Sequence, residues 1–406
     1  MLKANTIVRL LVYFFLTLTV MLLLLFAATA IPNSAVDYYQ SDALKILESE
    51  GVYPSYFFET TASAQDNYTD TIIIQHIIKD ESESLPVSAM HSNYTRYWHG
   101  YCVVLRPLLT TFSLYNIRFM SMIVYVVLFG TSAVLIANRV SFETAIAFLV
   151  SIAMTYPLVV MTSLQFLPVF LISFTAIVFE LLFPSFMRKD CLVYFMIIGM
   201  VTSFFDFLTT PVVTLGFPLI VLLISEYKNQ HNKKAEIQVL FGNSASWLFG
   251  YGLCWASKWV VASIILKKSV IDDAASQIVF RTMGNDIYPG RHISDRIDAI
   301  KENCLRMFAN QGYKFMVLFM VLIVVLILLA VVNRKRDASP PVLAVIIVGV
   351  YPLMWYMLLS NHSIIHYFTY RALSVMVFAV FSALLNSIEW YSIFHNKERF
   401  PKTKLK

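Results

Sequence analysis

The sequence predicts an all-α polytopic membrane protein with about ten transmembrane helices. Of its 406 residues, 58% are hydrophobic and only 14% are charged. The mean hydropathy is +0.68, and the 32 Phe and 22 Tyr residues lie mostly inside or beside apolar runs. This balance excludes a soluble protein. The formal net charge of +6 forms no basic stripe, so no nucleic-acid partner is expected.

The predicted spans are apolar runs without central charges. Each is close to the length of about 20 residues that a helix needs to cross the hydrocarbon core of a bilayer. The third and fourth runs are separated by polar residues at 162–165 and flanked by Pro157 and Pro168, a pattern that also fits a re-entrant hairpin. The runs cover residues 7–30, 116–137, 142–161, 165–184, 191–208, 210–226, 240–262, 314–333, 341–359 and 372–394.

The distribution of Lys and Arg predicts the orientation. With a cytoplasmic N-terminus, every inner connection is short and basic, and the basic C-terminal tail is also cytoplasmic. The whole chain, 1–406, is interpreted as one multi-pass domain of the plasma membrane, with two long outer loops at 31–115 and 263–313. The inner basic residues are Arg139, Arg188, Lys189, Lys228, Lys233, Lys234, Arg334, Lys335 and Arg336, then Lys397, Arg399, Lys402, Lys404 and Lys406 in the tail.

Both outer loops carry amphipathic patterns. In the first, Asp37–Glu50 predicts an amphipathic helix, and residues 98–114 suit a helix lying at the interface. In the second, similar patterns at 271–280 and 293–308 flank a predicted turn at 285–290. We therefore expect juxtamembrane helices that fold back on the bilayer.

The first candidate site lies midway through the first outer loop, at Asp66 and Asp70. Carboxylates held near an apolar surface can take a proton from a hydroxyl nucleophile or bind a divalent cation. The alternative is structural, because an Asp followed by Asn and Thr is also typical of a turn that caps a helix.

The second candidate site contains Arg96, His99 and Arg106, interleaved with Tyr and Trp. Arg can bind phosphate bidentately, and aromatic faces can stack on sugar rings. The pattern therefore suits a phosphorylated, glycosylated ligand. An interfacial aromatic belt with snorkelling arginines explains it equally well.

The third candidate site combines His362, His366 and Arg371 after the ninth run. Two histidines four residues apart share one helix face and can ligate a metal, although no Glu completes an HExxH motif. Hydrogen bonding to phosphate or holding an acidic partner is the favoured role, and a solvated polar helix end is the alternative. Asp206 and Lys258 lie at the predicted outer ends of other spans. Both can belong to the same site. The structural alternatives are an ion-pair partner for Asp206 and a snorkelling side chain for Lys258.

Three segments resemble a family of uncharacterised bacterial polytopic membrane proteins: YTRYWHGYCVVLRPLL (94–109), FFDFLTTPVVTLGFPL (204–219) and NHSIIHYFTYR (361–371). The resemblance covers most of the chain. The plan of one span, a large outer loop with amphipathic helices and then many spans is similar to the GT-C class of glycosyltransferases.

The GT-C resemblance implies transfer of a sugar from a polyprenyl phosphate or pyrophosphate to a cell-surface glycan or other polymer. An acidic residue of the first outer loop, here Asp66 or Asp70, would act as the base or hold a metal. One departure is that no acidic pair directly follows the first span, where Asp37 and Asp42 are nearest. The substrate-binding candidates are Arg96, His99, Arg106, Asp206, Lys258, His362, His366 and Arg371.

The leading hypothesis is thus an outward-facing membrane glycosyltransferase with a lipid-linked sugar donor, and a divalent cation is the only cofactor considered. Nucleotide sugars are not available outside the cell, so such an enzyme needs a donor that enters through the lipid. One alternative is a transporter or flippase of lipid-linked glycans, which needs charged groups deep in the membrane. The other is a non-catalytic scaffold of an envelope-synthesis complex.

Overall fold

The computed structural model describes residues 4–56, 61–90, 94–230, 233–284, 292–308, 313–335 and 341–394. These parts of the chain are helical, with isolated β-bridges at Ser55–Ala64 and Arg334–Ile388. The predicted all-α class is confirmed. Arg336, the predicted turn at 285–290 and the basic tail from Lys397 lie outside the described residues.

Among the described helices, five are long and apolar enough to cross a membrane, which confirms the membrane character predicted from composition. Shorter apolar helices supplement them, and every predicted apolar run contains helix. The count of about ten spans stays a prediction. The five long segments are Asn5–Ala30, Leu114–Arg139, Glu236–Leu266, Tyr313–Val332 and Tyr367–Ser387.

The segment at 31–115, which the sequence analysis predicts as the first outer loop, contains several short helices. One of them covers the same residues, Asp37–Glu50, as the amphipathic pattern in the sequence. A short 3-10 helix, Thr61–Ser63, precedes the acidic segment. The helices of this part are α1 (Ala4–Ala30), α2 (Asp37–Glu50), α3 (Asn67–Gln75), α4 (Leu85–Met90), α5 (Tyr101–Leu108) and α6 (Leu114–Arg139).

The predicted span at 142–161 is divided into α7 (Phe142–Ala153) and α8 (Pro157–Thr162), and α9 (Leu167–Leu182) follows. Tyr156 has a left-handed backbone (φ 56°) immediately before Pro157, so the helix cannot continue through this point. At 1.5 Å per residue, α7 is roughly 18 Å long and is too short to cross the hydrocarbon core alone.

The next three helices are α10 (Pro184–Phe205), α11 (Val212–Gln230) and α12 (Lys233–Leu266). α10 is kinked at Asp190, whose backbone is not helical. Further along, α10 packs closely on α12 because both present glycine at the contact. A side chain at Gly199 or Gly250 would collide with the backbone of the facing helix, and such small residues allow close helix pairing in membranes.

The C-terminal part contains α13 (Ile271–Met283), α14 (Ile293–Met307), α15 (Tyr313–Val332), α16 (Val342–Leu358) and α17 (Ser360–Ile365). A 3-10 helix, Tyr367–Leu373, leads into α18 (Ser374–Ser387), and α19 (Trp390–Phe394) ends the described chain. The segment at 263–313, predicted as the second outer loop, thus contains α13 and α14.

The largest apolar core joins α7, α9, α11, α16 and α18. Phe148 lies at its centre, with its ring 5.8 Å from Phe174, 5.7 Å from Phe217 and 5.7 Å from Phe378. A second core joins α1, α3 and α5 to α10. The polar residues of the candidate site lie between these two cores.

Candidate functional site

Asp70 is a fully buried carboxylate that holds the break between α8 and α9. Burial raises its pKa to about 6, although the charge of Arg118 and the hydrogen bonds it accepts from the break oppose that rise. Two of the groups that donate to it are backbone N–H groups in the turn immediately before α9. Its donors are the backbone N–H groups of Leu164 and Gln165 (both 3.1 Å), the Ser163 hydroxyl (3.3 Å) and the Gln65 amide (3.4 Å).

Asp66 caps α3. Its two carboxylate oxygens accept hydrogen bonds from the backbone N–H of Thr69 (3.0 Å) and from the Thr69 hydroxyl (2.9 Å). The capping interpretation is therefore correct for this residue, with the helix beginning at Asn67. Burial raises the pKa of Asp66, and the charge of Arg371 opposes that rise, so the two side chains interact electrostatically.

Arg371 is buried near Asp66. Its Nε donates to the Thr155 carbonyl (3.0 Å), and its guanidinium stacks over the Phe166 ring, 4.3 Å from the centroid. Its Nη1 has no hydrogen-bond partner among the described residues. The Tyr370 hydroxyl and Nη2 of Arg371 share the Ala62 carbonyl, at 2.9 and 3.5 Å. Arg371 thus keeps one donor for another group.

A buried ion pair that the sequence reasoning missed supports this region. Arg118 Nη1 donates to both carboxylate oxygens of Glu50, at 2.7 and 2.9 Å. Asn67 joins the pair, because its amide donates to Glu50 (3.1 Å) and its oxygen accepts from Arg118 (3.4 Å). An arginine inside an apolar run was the available signal. The pair connects α2, α3 and α6.

The second candidate site, around Arg96 and His99, forms a second cluster that packs against α12. Arg96 forms an ion pair with Asp273 of α13 (3.1 Å), and the Trp98 indole N–H donates to the Cys254 carbonyl (2.8 Å). Lys258 is fully buried and does not snorkel: its Nζ lies 3.1 Å from the Met90 sulfur. The first and second outer loops are therefore joined.

His99 and His76 share the Tyr101 hydroxyl, which lies 2.8 Å from His99 Nδ1 and 3.1 Å from His76 Nδ1. His99 has a left-handed backbone (φ 55°), and its Nε2 lies 2.9 Å from the Tyr94 carbonyl. Burial, reinforced by the positive charge of Lys258, holds the pKa of His99 well below its ordinary value. His99 is therefore a neutral hydrogen-bonding group.

Arg106 is buried and bound to the backbone. Its guanidinium donates to the carbonyl oxygens of Ile31 and Ile77, and to the Asn33 side chain at 3.3 Å. These contacts fix the ends of α1 and α3 to α5. The sequence predicted that Arg106 binds a phosphate, but its guanidinium is already hydrogen-bonded to the protein.

His362 lies between an arginine and a carbonyl group. Its Nδ1 is 2.5 Å from Arg281 Nη1, and its Nε2 is 2.7 Å from the Leu208 carbonyl. Because the guanidinium donates and the carbonyl accepts, His362 is neutral with its proton on Nε2. Burial holds its pKa well below the ordinary value, and the charges of His366 and Arg281 act in the same direction.

His366 stacks beside His362, with ring centroids 4.4 Å apart. Burial, together with the charges of Arg281 and Arg306, lowers the pKa of His366 to about 4. Arg306 of α14 donates to the Ile364 carbonyl (2.9 Å), which fixes the end of α17. Sequence reasoning missed both arginines because they lie on amphipathic helices of the second outer loop.

Asp206 shapes the turn that joins the second cluster to the third, which is formed by His362, His366 and Arg371. Its Oδ1 accepts from the backbone N–H (3.0 Å) and the hydroxyl of Thr209, and its Oδ2 has no partner within the described chain. In this turn, the Phe207 ring lies 5.2 Å from the Tyr101 ring and 6.0 Å from the His99 ring. The next carbonyl, of Leu208, meets His362.

The third cluster also continues into the first. The Phe368 ring lies 5.2 Å from Phe166, the residue over which Arg371 stacks. The Tyr367 ring lies 5.7 Å from Tyr53, in the loop before α3. The sequence-predicted residues are therefore joined through the 206–209 turn and the 3-10 helix at 367–373, with Arg106 and Lys258 held in their own local contacts.

An apolar groove begins beside Asp70. It consists of two cavities, of about 230 and about 470 Å³, that share Leu171 and Ile172 of α9. The first cavity is lined by Tyr101 and Leu164, whose backbone N–H binds Asp70, and the second extends to Phe179. At 1.5 Å per residue, the groove follows α9 for roughly 20 Å.

Neither the side-chain chemistry nor comparison with known proteins assigns a cofactor. Within the described ranges, no group of three or more His, Cys, Asp or Glu side chains is arranged to hold a metal ion. No protein-family model, curated protein or solved structure matches the chain. The function is therefore argued from the geometry of the site.

Proposed function

We propose that this protein is a membrane glycosyltransferase that takes a sugar from a polyprenyl phosphate or pyrophosphate and transfers it to an acceptor hydroxyl at the cell surface. The apolar groove along α9 is the observation that carries the proposal. It suits an extended isoprenoid chain, which is apolar along its length. Its end at Leu164 would bring the donor's phosphate next to Asp70, Asp66 and Arg371.

The roles of the two carboxylates differ in this proposal. All four donors to Asp70 come from the protein, so we assign it a positioning role at the mouth of the groove. Asp66 is the proposed general base: its raised pKa suits proton transfer, and exposed Tyr53 and Tyr68 lie nearby. The free Nη1 of Arg371 would stabilise the leaving phosphate.

The histidine cluster supplies further phosphate contacts in the proposal. His362 and His366 are neutral, so they would bind by hydrogen bonding and leave charge neutralisation to Arg281 and Arg371. Arg106 keeps its structural contacts with the backbone.

The proposed topology has about ten spans, cytoplasmic termini and an outward-facing site. The support is that the joined polar clusters lie at helix ends and outer-loop helices of the predicted arrangement. The long loops fold onto one another through Arg96 and Asp273, as a shared site on one side of the membrane requires.

The test separates a base at residue 66 from a helix cap. Asn and Ser both cap helices well but lack a carboxylate. Cells that lack the protein are complemented with wild type, Asp66→Asn or Asp66→Ser, at equal protein levels in the membrane. We expect both variants to reduce the surface glycan at least about 100-fold, since general-base catalysis contributes 10²–10⁴-fold. The lipid-linked donor should accumulate.

The exposed Asp37 in the same loop provides the matched control, and Asp37→Asn should leave the glycan at its wild-type level. Wild-type glycan in both Asp66 variants would overturn the assignment of the base. Wild-type glycan in Asp70→Asn and His366→Ala as well would overturn the transferase proposal and favour a scaffold. Failure of the donor to reach the outer leaflet would favour the flippase.

A further inference from the structure

The opposite end of α9 contains a second buried carboxyl group, Glu180. It is 4% exposed, and neither carboxylate oxygen has a hydrogen-bond partner in the described parts of the chain. An ionised carboxylate in such a place is strongly disfavoured relative to the neutral acid. Glu180 also lies in the last turn of α9, where the helix dipole is negative and disfavours an anion.

A buried amide lies nearby on another helix, where Asn243 and Glu180 both interact with Cys191. Asn243 of α12 is 2% exposed, and its Oδ1 also lacks a donor among the described residues. The Asn243 side chain reaches the Cys191 thiol of α10 by a hydrogen bond, and Cys191 interacts electrostatically with Glu180. Helices α9, α10 and α12 thus bring a carboxyl group, a thiol and an unpaired amide oxygen together.

Among the described residues, the charges near Glu180 leave it without a cationic partner. Arg139 of α6 donates to the Leu181 carbonyl, and Arg9 of α1 pairs with Asp190. From α11, Glu226 adds negative charge near Cys191. From α10, the Tyr194 hydroxyl donates to the Ala176 carbonyl (2.5 Å). None of these contacts supplies a positive charge to Glu180.

We propose that Glu180 and Asn243 form a proton-binding site within the membrane. The carboxylate takes up a proton to become the neutral acid, and its O–H then donates to the unpaired Oδ1 of Asn243. This step satisfies both groups that the described structure leaves without partners. A metal ion is disfavoured as the ligand because the described residues offer no third ligating side chain of the usual kinds. The site is independent of the proposed transferase function.

Carbodiimide labelling tests the site on the full-length wild-type chain in phosphatidylcholine vesicles. The O–H of a protonated carboxyl adds across a C=N bond of N,N′-dicyclohexylcarbodiimide, and the product rearranges to a stable N-acylurea without a leaving group. We expect mass spectrometry to find this label on Glu180 at pH 6 and to find it lost by pH 9. A water-soluble carbodiimide should label the exposed Asp272 and not Glu180.

Two variants complete the test. Glu180→Gln should lose the labelled peptide. Asn243→Leu removes the acceptor for the acid O–H, so its labelling should disappear at a lower pH than in wild type. Absence of label on wild-type Glu180, or equal labelling at pH 6 and pH 9, would overturn the proton-binding site. An unchanged pH profile in Asn243→Leu would remove Asn243 from it.

Discussion

Asp70 and Glu180 are both buried carboxyl groups, and they lie at opposite ends of α9 in opposite circumstances. Asp70 meets four donors beside the N-terminal end, and two of them are backbone N–H groups of the turn that precedes α9. Glu180 lies at the C-terminal end, where a helix presents carbonyl oxygens, and meets no donor in the described chain. The donors around Asp70 offset part of the cost of burying its carboxylate, whereas Glu180 has no such compensation among the described residues.

This difference also separates the two groups by function. A carboxylate that is fully hydrogen-bonded positions its surroundings, as Asp70 does with the 162–165 break. A carboxyl group without donors is suited to take up a proton, as proposed for Glu180. The candidate base, Asp66, is intermediate, since its carboxylate accepts hydrogen bonds within the first turn of α3 and lies near Arg371.

The largest effect is expected from Asp70→Ala. The substitution leaves the buried N–H groups of Leu164 and Gln165 without an acceptor, each at a cost of about 1–3 kcal/mol. We expect the free energy of unfolding at pH 7 to fall by about 4 kcal/mol when the two backbone donors and the two side-chain donors are considered together. Chemical unfolding of the purified protein in detergent measures this change.

Asp37→Ala provides the control, because Asp37 is exposed and its loss should change stability by no more than about 0.5 kcal/mol. Equal stabilities of Asp70→Ala and Asp37→Ala would mean that α9 begins without help from Asp70. The two ends of the helix would then not differ in the way described.

An intermediate effect is expected in the pH dependence of stability. Burial raises the pKa of Asp70 from 3.8 to about 6 in the folded protein. The folded state therefore keeps a proton that the unfolded state has lost between about pH 4 and pH 6. The retained proton stabilises the folded state by about 3 kcal/mol. This stabilisation is fully present below pH 4 and is lost as the pH rises through 6.

Asp70→Asn cannot titrate at this position, so the difference between wild type and Asp70→Asn isolates the effect. Unfolding free energies at pH 4 and pH 7 should show wild type losing more stability than the variant. A gain by wild type would mean that the four donors outweigh burial and lower the pKa of Asp70. Asp70 would then be an anion under all physiological conditions.

Sequence patterns predicted the helices well because hydrophobic runs and amphipathic periods are local properties. The helix at Asp37–Glu50 and the helical content of every apolar run follow from such patterns. The division of the run at 142–161 was less accessible. It depends on the left-handed backbone of Tyr156, and the separate break before α9 depends on the hydrogen bond from Leu164 to Asp70, 94 residues earlier in the chain.

The candidate site was predictable in its residue types and less so in its contacts. The sequence indicated Asp66, His362 and Arg371, but Arg106 and Lys258 show why a charge alone does not define a role. The guanidinium of Arg106 is occupied by distant backbone carbonyls, and Lys258 is buried against Met90. Glu180 was overlooked, although an acidic residue inside an apolar run is itself a signal of function.

The smallest effect is expected from neutralising Glu180, and it tests the comparison most directly. If Glu180 is a neutral acid, Glu180→Gln preserves its shape and charge, and the free energy of unfolding near pH 6 should change by less than about 1 kcal/mol. Glu180→Leu removes a buried polar group, so its free energy of unfolding should equal that of wild type or exceed it by about 1 kcal/mol.

Leu181→Ala in the same turn is the packing control and should lower the free energy of unfolding by about 2 kcal/mol or more, because Leu181 is 7% exposed. A loss of about 3 kcal/mol or more in both Glu180 variants would mean that Glu180 is ionised and bound to a cation. In that case the two ends of α9 would both hold anions, and the helix end would not explain their difference.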